Sequence, residues 1–108
     1  MSRRGKPDSG QAAIVTALRG IGAHVVNLTS TGAGVPDLAV LFRGKTHWLE
    51  VKSSAAASRR KGATADQQRM FRDRAQACGV HVWVVWSQEM ALQAIGAVKS
   101  SEEFPPRA

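Results

Sequence analysis

Apolar residues recur along this chain at two different spacings, three to four residues apart in some segments and alternating in others. In residues 9–21 the helical spacing predicts a first helix, with Asp8 or Ser9 as its N-cap and glycine near its end. The segment AHVVNL, residues 23–28, has the composition of a strand. The Gly, Ser, Thr and Pro content of residues 29–36 then predicts a loop.

Two alternating segments, DLAVLFR and THWLEVK, predict a β-hairpin with Gly44 and Lys45 in its turn. A small-residue basic loop, SSAAASRRKGA, follows. The segment TADQ then opens a second helix as a capping box, in which Thr64 and Gln67 exchange side-chain and backbone hydrogen bonds. This helix is expected to end at about Cys78, just before a glycine. Its core-facing residues would be Met70, Phe71 and Ala77.

The segment VHVWVVW, residues 80–86, is almost continuously apolar, which is typical of a strand covered on both faces. Ser87 then caps a last helix that ends near Val98. The predicted order of elements is α-β-β-β-α-β-α. It indicates an α/β fold, a mixed β-sheet flanked by helices.

The charge of the chain points to a polyanionic partner. The 108 residues contain 15 Lys and Arg against 8 Asp and Glu, a net charge of +7. Most of the excess lies in residues 9–98, which we expect to form a single domain between a flexible basic arm (1–8) and a C-terminal tail (99–108). Nucleic acid is the most frequent partner of a basic surface, and a soluble protein that is merely basic is the alternative.

Cysteine content and hydropathy indicate in which cellular compartment the protein is found. Cys78 is the one cysteine of the chain, so no intrachain disulfide or cysteine-based zinc cluster can form, and we expect a buried, inert thiol. No apolar run approaches the roughly 20 residues of a membrane span, and no signal peptide is visible. We therefore expect a cytoplasmic protein that is neither secreted nor membrane-bound.

Three ionisable residues, Asp37, Glu50 and Lys52, fall within the predicted hairpin, where an unpaired charge is costly. Glu50 and Lys52 point to the same face because side chains alternate along a strand. With a two-residue turn, Asp37 lies opposite Lys52 and diagonal to Glu50, and all three share that face. A three-residue loop would instead pair Asp37 with Val51 and separate the charges.

Two carboxylates on one face repel each other unless a cation lies between them. Oxygen donors without cysteine suit a hard ion such as Mg²⁺, and the Val51 carbonyl could add a further oxygen. Lys52 would then lie beside the metal, where it could stabilise a phosphate oxygen or orient an attacking water. The alternative is a surface cluster of charges without a metal.

The motif PD at residues 36–37, followed by EVK at residues 50–52, resembles the PD-(D/E)XK nuclease signature. The surrounding GVPDLAVLFRGKTHWLEVK is most similar to the VRR-NUC branch, whose small viral and bacterial members resemble Holliday-junction resolvases. The similarity extends over about residues 9–95 and includes the SRRK loop, TADQ and the later apolar strand. It implies a restriction-endonuclease-like fold.

The resemblance also implies a role for each matching residue. Asp37 and Glu50 would be metal ligands together with the main-chain carbonyl of Val51, and Lys52 would be the catalytic lysine. Gln11 would occupy the position of a glutamate that resolvase-like relatives carry on their first helix. Because an amide supplies no charge, a second tightly held metal is disfavoured.

Gln67 is similar to a glutamine that VRR-NUC members place near the active site, in addition to its place in the predicted capping box. The basic loop and the hairpin turn offer candidate phosphate contacts, for which a solvated run of charges is the alternative. The expected DNA-binding residues are Ser58, Arg59, Arg60, Lys61, Arg43 and Lys45.

Together these features predict a Mg²⁺-dependent endonuclease that hydrolyses DNA phosphodiester bonds, with Mn²⁺ able to substitute. Resolving a four-way junction takes two matched cuts, so we expect a homodimer acting on Holliday junctions or other branched DNA. A flap or non-specific DNA nuclease is the close alternative, and a non-catalytic basic nucleic-acid-binding module on the same fold is the alternative of another class. The expected setting is a bacterial cell or a virus-infected cell, including phage infection.

Overall fold

The computed structural model describes residues 9–98, so the predicted arm (1–8) and tail (99–108) lie outside the described residues. No helix within this range is long and apolar enough to cross a membrane. The predicted order α-β-β-β-α-β-α is confirmed, with a short 3-10 helix, Ala57–Arg59, added before the second α-helix. The elements are α1 (Ser9–Gly20), β1 (His24–Asn27), β2 (Leu38–Phe42), β3 (Lys45–Val51), α2 (Ala63–Ala77), β4 (Val82–Val85) and α3 (Gln88–Ala94).

The strands form one mixed sheet in the order β1-β2-β3-β4. β2 pairs antiparallel with both β1 and β3, whereas β4 joins β3 in parallel. A parallel neighbour requires a long crossover connection, and α2 lies within it. The predicted mixed α/β architecture with flanking helices is confirmed and is consistent with a restriction-endonuclease-like fold.

One face of the sheet carries the hydrophobic core, against which α1 and α3 pack. Leu49 and Val51 of β3 belong to this core, and α1 adds Ile14 and Leu18 at helical spacing. Burying a Leu or Ile side chain stabilises a fold by roughly 1.5–3 kcal/mol. Because side chains alternate along a strand, Glu50 must lie on the opposite face.

The β2–β3 hairpin turns at Arg43 and Gly44, one residue earlier than predicted. Both residues have positive φ, 51° and 78°, as a two-residue type I′ turn requires. Extended by one residue, the observed register brings Asp37 opposite Glu50, so the predicted pairing of Asp37 with Lys52 is wrong. The register differs by two residues, an even number, and every side chain therefore keeps its predicted face.

The helix α2 lies against the second face of the sheet and contributes little to the core. None of its residues is buried. Met70 is 45% exposed and Ala77 is exposed, so the prediction that these two residues face the core is wrong, whereas Phe71 is half-buried. Hydrophobic burial alone therefore does not explain why α2 docks on the sheet.

The start of α2 also differs from the prediction. Its N-cap is Gly62, which supplies no side-chain cap, and its first residue is Ala63. Thr64 therefore lies inside the first turn and Gln67 is exposed, so the predicted capping box is wrong. The expected helix end near Cys78 is confirmed, but this thiol is exposed rather than buried.

A glycine in the loop before β2 sets how closely that loop approaches α2. Gly34 has a φ of +81°, and a Cβ added to it would lie well inside van der Waals contact with the backbone carbonyl of Gln67. Loop and helix therefore touch backbone to backbone. Glycine is the residue that combines this φ with so close an approach.

We expect Gly34→Ala to lower the free energy of unfolding by about 2–4 kcal/mol, because the cost of a left-handed alanine adds to the overlap with α2. Gly32→Ala is the matched control, since Gly32 has a φ of +73° but nothing within 4 Å of an added Cβ. The control should lose only about 1 kcal/mol. Urea unfolding followed by circular dichroism measures both, and equal losses would contradict the close contact.

The environment of His47 on β3 can be tested through the pH dependence of folding stability. Burial, and secondly the Lys45 ammonium, lower the pKa of His47 below its ordinary 6.5. The folded protein then binds fewer protons than the unfolded chain, and stability should fall as the pH drops through about 6.5. His47→Gln should lose less stability than the wild type between about pH 7.5 and 5.5 in urea unfolding. Identical pH dependence in the two proteins would refute this expectation.

Candidate active site

A cleft of about 650 Å³ opens between the C-terminal end of β3, the short 3-10 helix and the first half of α2. Six of its lining residues are Lys or Arg and two are acidic, so the cleft is basic. Its floor carries Glu50 of β3 and Lys52, which directly follows β3, and its wall carries Gln68 and Arg72 of α2. Glu50 and Lys52 both face α2 because side chains two residues apart at the end of β3 point to the same side of the sheet.

Glu50 is a buried carboxylate, with 1% of the residue exposed. The Arg72 Nη1 donates to both of its oxygens, at 2.8 Å and 2.9 Å. The Lys52 Nζ lies 3.3 Å from Oε2 of the same carboxylate. A buried charge without such partners is strongly unfavourable, and removing one partner of a buried pair typically costs about 3–5 kcal/mol. Two cationic side chains therefore contact the buried Glu50 carboxylate.

Lys52 is held between two acceptors. Besides its ion pair with Glu50, its Nζ donates to Oε1 of Gln68 at 2.5 Å. Its side chain is 19% exposed and lines the cleft. The two contacts fix the position of the charge without neutralising it fully, since only one of the partners is an anion.

Asp37 lies directly before β2 and is half-buried. Its Oδ2 accepts a hydrogen bond of 2.7 Å from the backbone N–H of Val51, the last residue of β3. Its backbone carbonyl accepts from the Leu28 N–H, also at 2.7 Å. These bonds fix the backbone and side chain of Asp37 at the end of the hairpin, where the register of β2 and β3, extended by one residue, places it opposite Glu50.

Two residues of the cleft were missed by the sequence interpretation. The structure brings Gln68, not Gln67, to Lys52, and it adds Arg72. The signal was the spacing of four residues between Gln68 and Arg72, which places both on one face of a helix. The predicted capping box at Thr64 favoured Gln67 over Gln68.

The predicted DNA-binding residues divide into two groups. Ser58, Arg59, Arg60 and Lys61 line the same cleft as Glu50 and Lys52. The three basic side chains are exposed, whereas the Ser58 hydroxyl donates to the Ala55 carbonyl at 2.5 Å. The other two predicted residues, at the hairpin turn, lie at the opposite end of β3 and line a separate hollow of about 350 Å³. These two are Arg43 and Lys45.

Gln11 is not among the residues that line the Glu50 cleft. It lines a second hollow of about 620 Å³ between α1 and the β1 end of the sheet, together with Arg19, Asn27 and Thr29. The structure thus brings Glu50, Val51 and Lys52 together in one cleft, with Asp37 bonded to Val51, but leaves Gln11 in a different one.

Asp37, Glu50 and the Val51 main chain offer oxygen donors, the ligand type that hard divalent cations prefer. Within residues 9–98 no group of three or more His, Cys, Asp or Glu side chains could hold a metal ion. Two carboxylates, Asp37 and Glu50, are nevertheless level with each other, and the Val51 main chain lies beside them. Mg²⁺ is commonly bound through one or two carboxylates, with water and phosphate oxygens completing its shell. Glu50 already attracts two cationic side chains.

Comparison with known proteins gives one informative similarity. Neither a protein-family model nor a curated protein sequence matches the chain. A solved structure described as "VRR_NUC domain" matches with a TM-score of 0.62 and 27% sequence identity, covering 81% of this chain and 90% of the other. The similarity confirms the resemblance of this chain to the VRR-NUC family and agrees with the restriction-endonuclease-like fold which that resemblance implied.

Proposed function

We propose that this protein is a Mg²⁺-dependent endonuclease that hydrolyses DNA phosphodiester bonds, with Mn²⁺ able to replace Mg²⁺. The observation that carries this proposal is the buried Glu50 carboxylate, level with Asp37 and in contact with Lys52, at the floor of a basic cleft. The similarity to a VRR_NUC domain suggests a nuclease of the PD-(D/E)XK type. The ion, the substrate and the oligomeric state are the proposed additions.

Asp37, Glu50 and the Val51 carbonyl would hold the divalent cation. When bound, the ion supplies a Lewis acid for the scissile phosphate and for the attacking water. The protein's own part is to keep two carboxylates at fixed positions: Asp37 through its bond to the Val51 N–H, and Glu50 through its burial in the sheet. Because these carboxylates are already held in place, little conformational entropy is lost when the substrate binds.

Lys52 would stabilise the negative charge that develops on the phosphate. Its ammonium is oriented by the Gln68 oxygen and by Glu50, and it opens onto the cleft. A charge that is already oriented needs no reorganisation when the transition state forms, and one such contact is often worth about 3–4 kcal/mol. Gln68 is therefore a positioning residue for the catalytic Lys52.

The rim of the cleft would bind the DNA backbone. Arg59, Arg60 and Lys61 are exposed in the cleft that contains Glu50 and suit phosphate contacts, which position DNA without reading its sequence. We identify no separate base-reading module within residues 9–98, which favours recognition of DNA shape. Because residues 9–98 carry one cleft of this kind and a junction needs two cuts, we propose a homodimer acting on Holliday junctions or other branched DNA.

We expect the purified protein to cut labelled four-way junctions in the presence of Mg²⁺ or Mn²⁺ and to be inactive in EDTA. The test panel also includes flap, single-stranded and duplex DNA, with the cuts mapped on denaturing gels. Preferred cutting of flaps, or equal cutting of all four, would replace the junction preference with the flap or non-specific alternative. DNA binding without any cutting would leave only a nucleic-acid-binding module.

We expect Lys52→Ala to lower the cleavage rate by at least about 100-fold, because it removes an oriented charge from the reacting phosphate. DNA affinity should change by no more than about threefold, since many backbone contacts share the binding. Arg74→Ala removes the same charge from the exposed last turn of α2 and is the matched control. Equal cleavage by the two variants would exclude the proposed role of Lys52.

A further inference from the structure

The Glu50 carboxylate already has a counter-ion that the proposed chemistry does not use. Nη1 of Arg72 bridges both carboxylate oxygens, and the Arg72 side chain is 31% exposed against 2% for Glu50. Arg72 projects from α2, the helix without a buried residue. The cationic Arg72 side chain thus reaches the buried Glu50 carboxylate from the solvent-facing side of the cleft rather than from the core.

The oxygens that Arg72 occupies are the ones that a divalent cation would need. A guanidinium and a metal ion repel each other, and at ligand distances from one carboxylate they compete for the same lone pairs. Within residues 9–98, Glu50 is the hydrogen-bond partner that the structure gives Arg72. Lys52 differs, because its second bond, to Gln68, would keep it in place if the charge of Glu50 were taken up by a metal.

We infer that Arg72 is a positioning residue that neutralises Glu50 in the metal-free protein and is displaced when a divalent cation binds. This inference rests on the proposed function, because it concerns the same carboxylate. Metal binding then costs the breaking of an internal ion pair, which lowers the apparent affinity of the site. After displacement the guanidinium remains in the cleft, on the side where a phosphate would enter.

The first test is the affinity for Mn²⁺, measured by isothermal titration calorimetry on the full chain. Removing the competitor with Arg72→Gln should tighten Mn²⁺ binding about tenfold, because a hydrogen-bonded ion pair no longer has to break. Arg69→Gln is the matched control: Arg69 lies on the same helix and lines the same cleft, but it pairs at 3.0 Å with the exposed Asp66. That variant should stay within about twofold of the wild type.

Thermal unfolding in EDTA supplies the complementary measurement. Without metal, Arg72→Gln should unfold at a lower temperature than Arg69→Gln, since it leaves Glu50 with one cation fewer. Saturating Mn²⁺ should remove most of that difference. If Arg72→Gln does not fold, Arg72→Lys takes its place, because it keeps the charge but loses the planar donor group, and its Mn²⁺ affinity should lie above that of the wild type.

A spectroscopic measurement follows Arg72 itself. In ¹⁵N-labelled wild-type protein, the side-chain N–H signal that is absent from Arg72→Gln should shift and exchange faster with water when Mg²⁺ is added. An unchanged signal at saturating Mg²⁺ would overturn the inference. Unchanged or weaker Mn²⁺ binding by Arg72→Gln would overturn it as well, and so would a lack of Mn²⁺ binding in every variant.

The inference and the proposed function can fail separately. If the wild type cuts DNA with Mg²⁺ but Arg72→Gln binds Mn²⁺ no more tightly, the function stands and the displacement of Arg72 is wrong. If Arg72→Gln binds Mn²⁺ more tightly and the wild type cuts no DNA, the displacement stands and the nuclease proposal is wrong.

Discussion

The burial of one negative charge, that of Glu50, organises this molecule around its cleft. A carboxylate with 1% exposure needs cations within hydrogen-bonding distance, and the chain supplies them from two directions. Lys52 lies two residues further along the chain, directly after β3, and Arg72 comes from a helix that follows in sequence. The Arg72–Glu50 ion pair and the Lys52–Gln68 hydrogen bond therefore join the sheet to α2, so that the same contacts shape the site and hold the fold together.

This dependence explains why α2 can dock without burying a residue. Its contacts with the described part of the chain include the ion pair to Glu50, the bond from Lys52 to Gln68 and the backbone contact at Gly34. The other two helices are held by apolar side chains on the core face. The position of α2 therefore depends on the charges in the cleft, whereas the positions of α1 and α3 depend on apolar packing.

The order of elements and the shared face of Asp37, Glu50 and Lys52 could be predicted because both follow from local periodicity. Side chains alternate with a period of two, so even a register error of two residues left the face unchanged. Which residues lie opposite each other depends on the turn, and Arg43 at a φ of 51° is a conformation that sequence preferences do not favour. The spacing of Arg72 from Gln68 shows only that they share a helix face; the pairing of Arg72 with Glu50 could not be predicted, because the two residues lie 22 positions apart and meet only when α2 docks.

Basic residues lie at both ends of β3, and the length of this strand sets how long a ligand must be to contact both groups. The cleft lies at one end of this strand, and the turn that carries Arg43 and Lys45 lies at the other. Six residue steps at ~3.3 Å separate Lys45 from Val51, a span of about 20 Å. A duplex rises by ~3.4 Å per base pair, so one that touched both groups of basic residues would have to extend over roughly six base pairs along the strand.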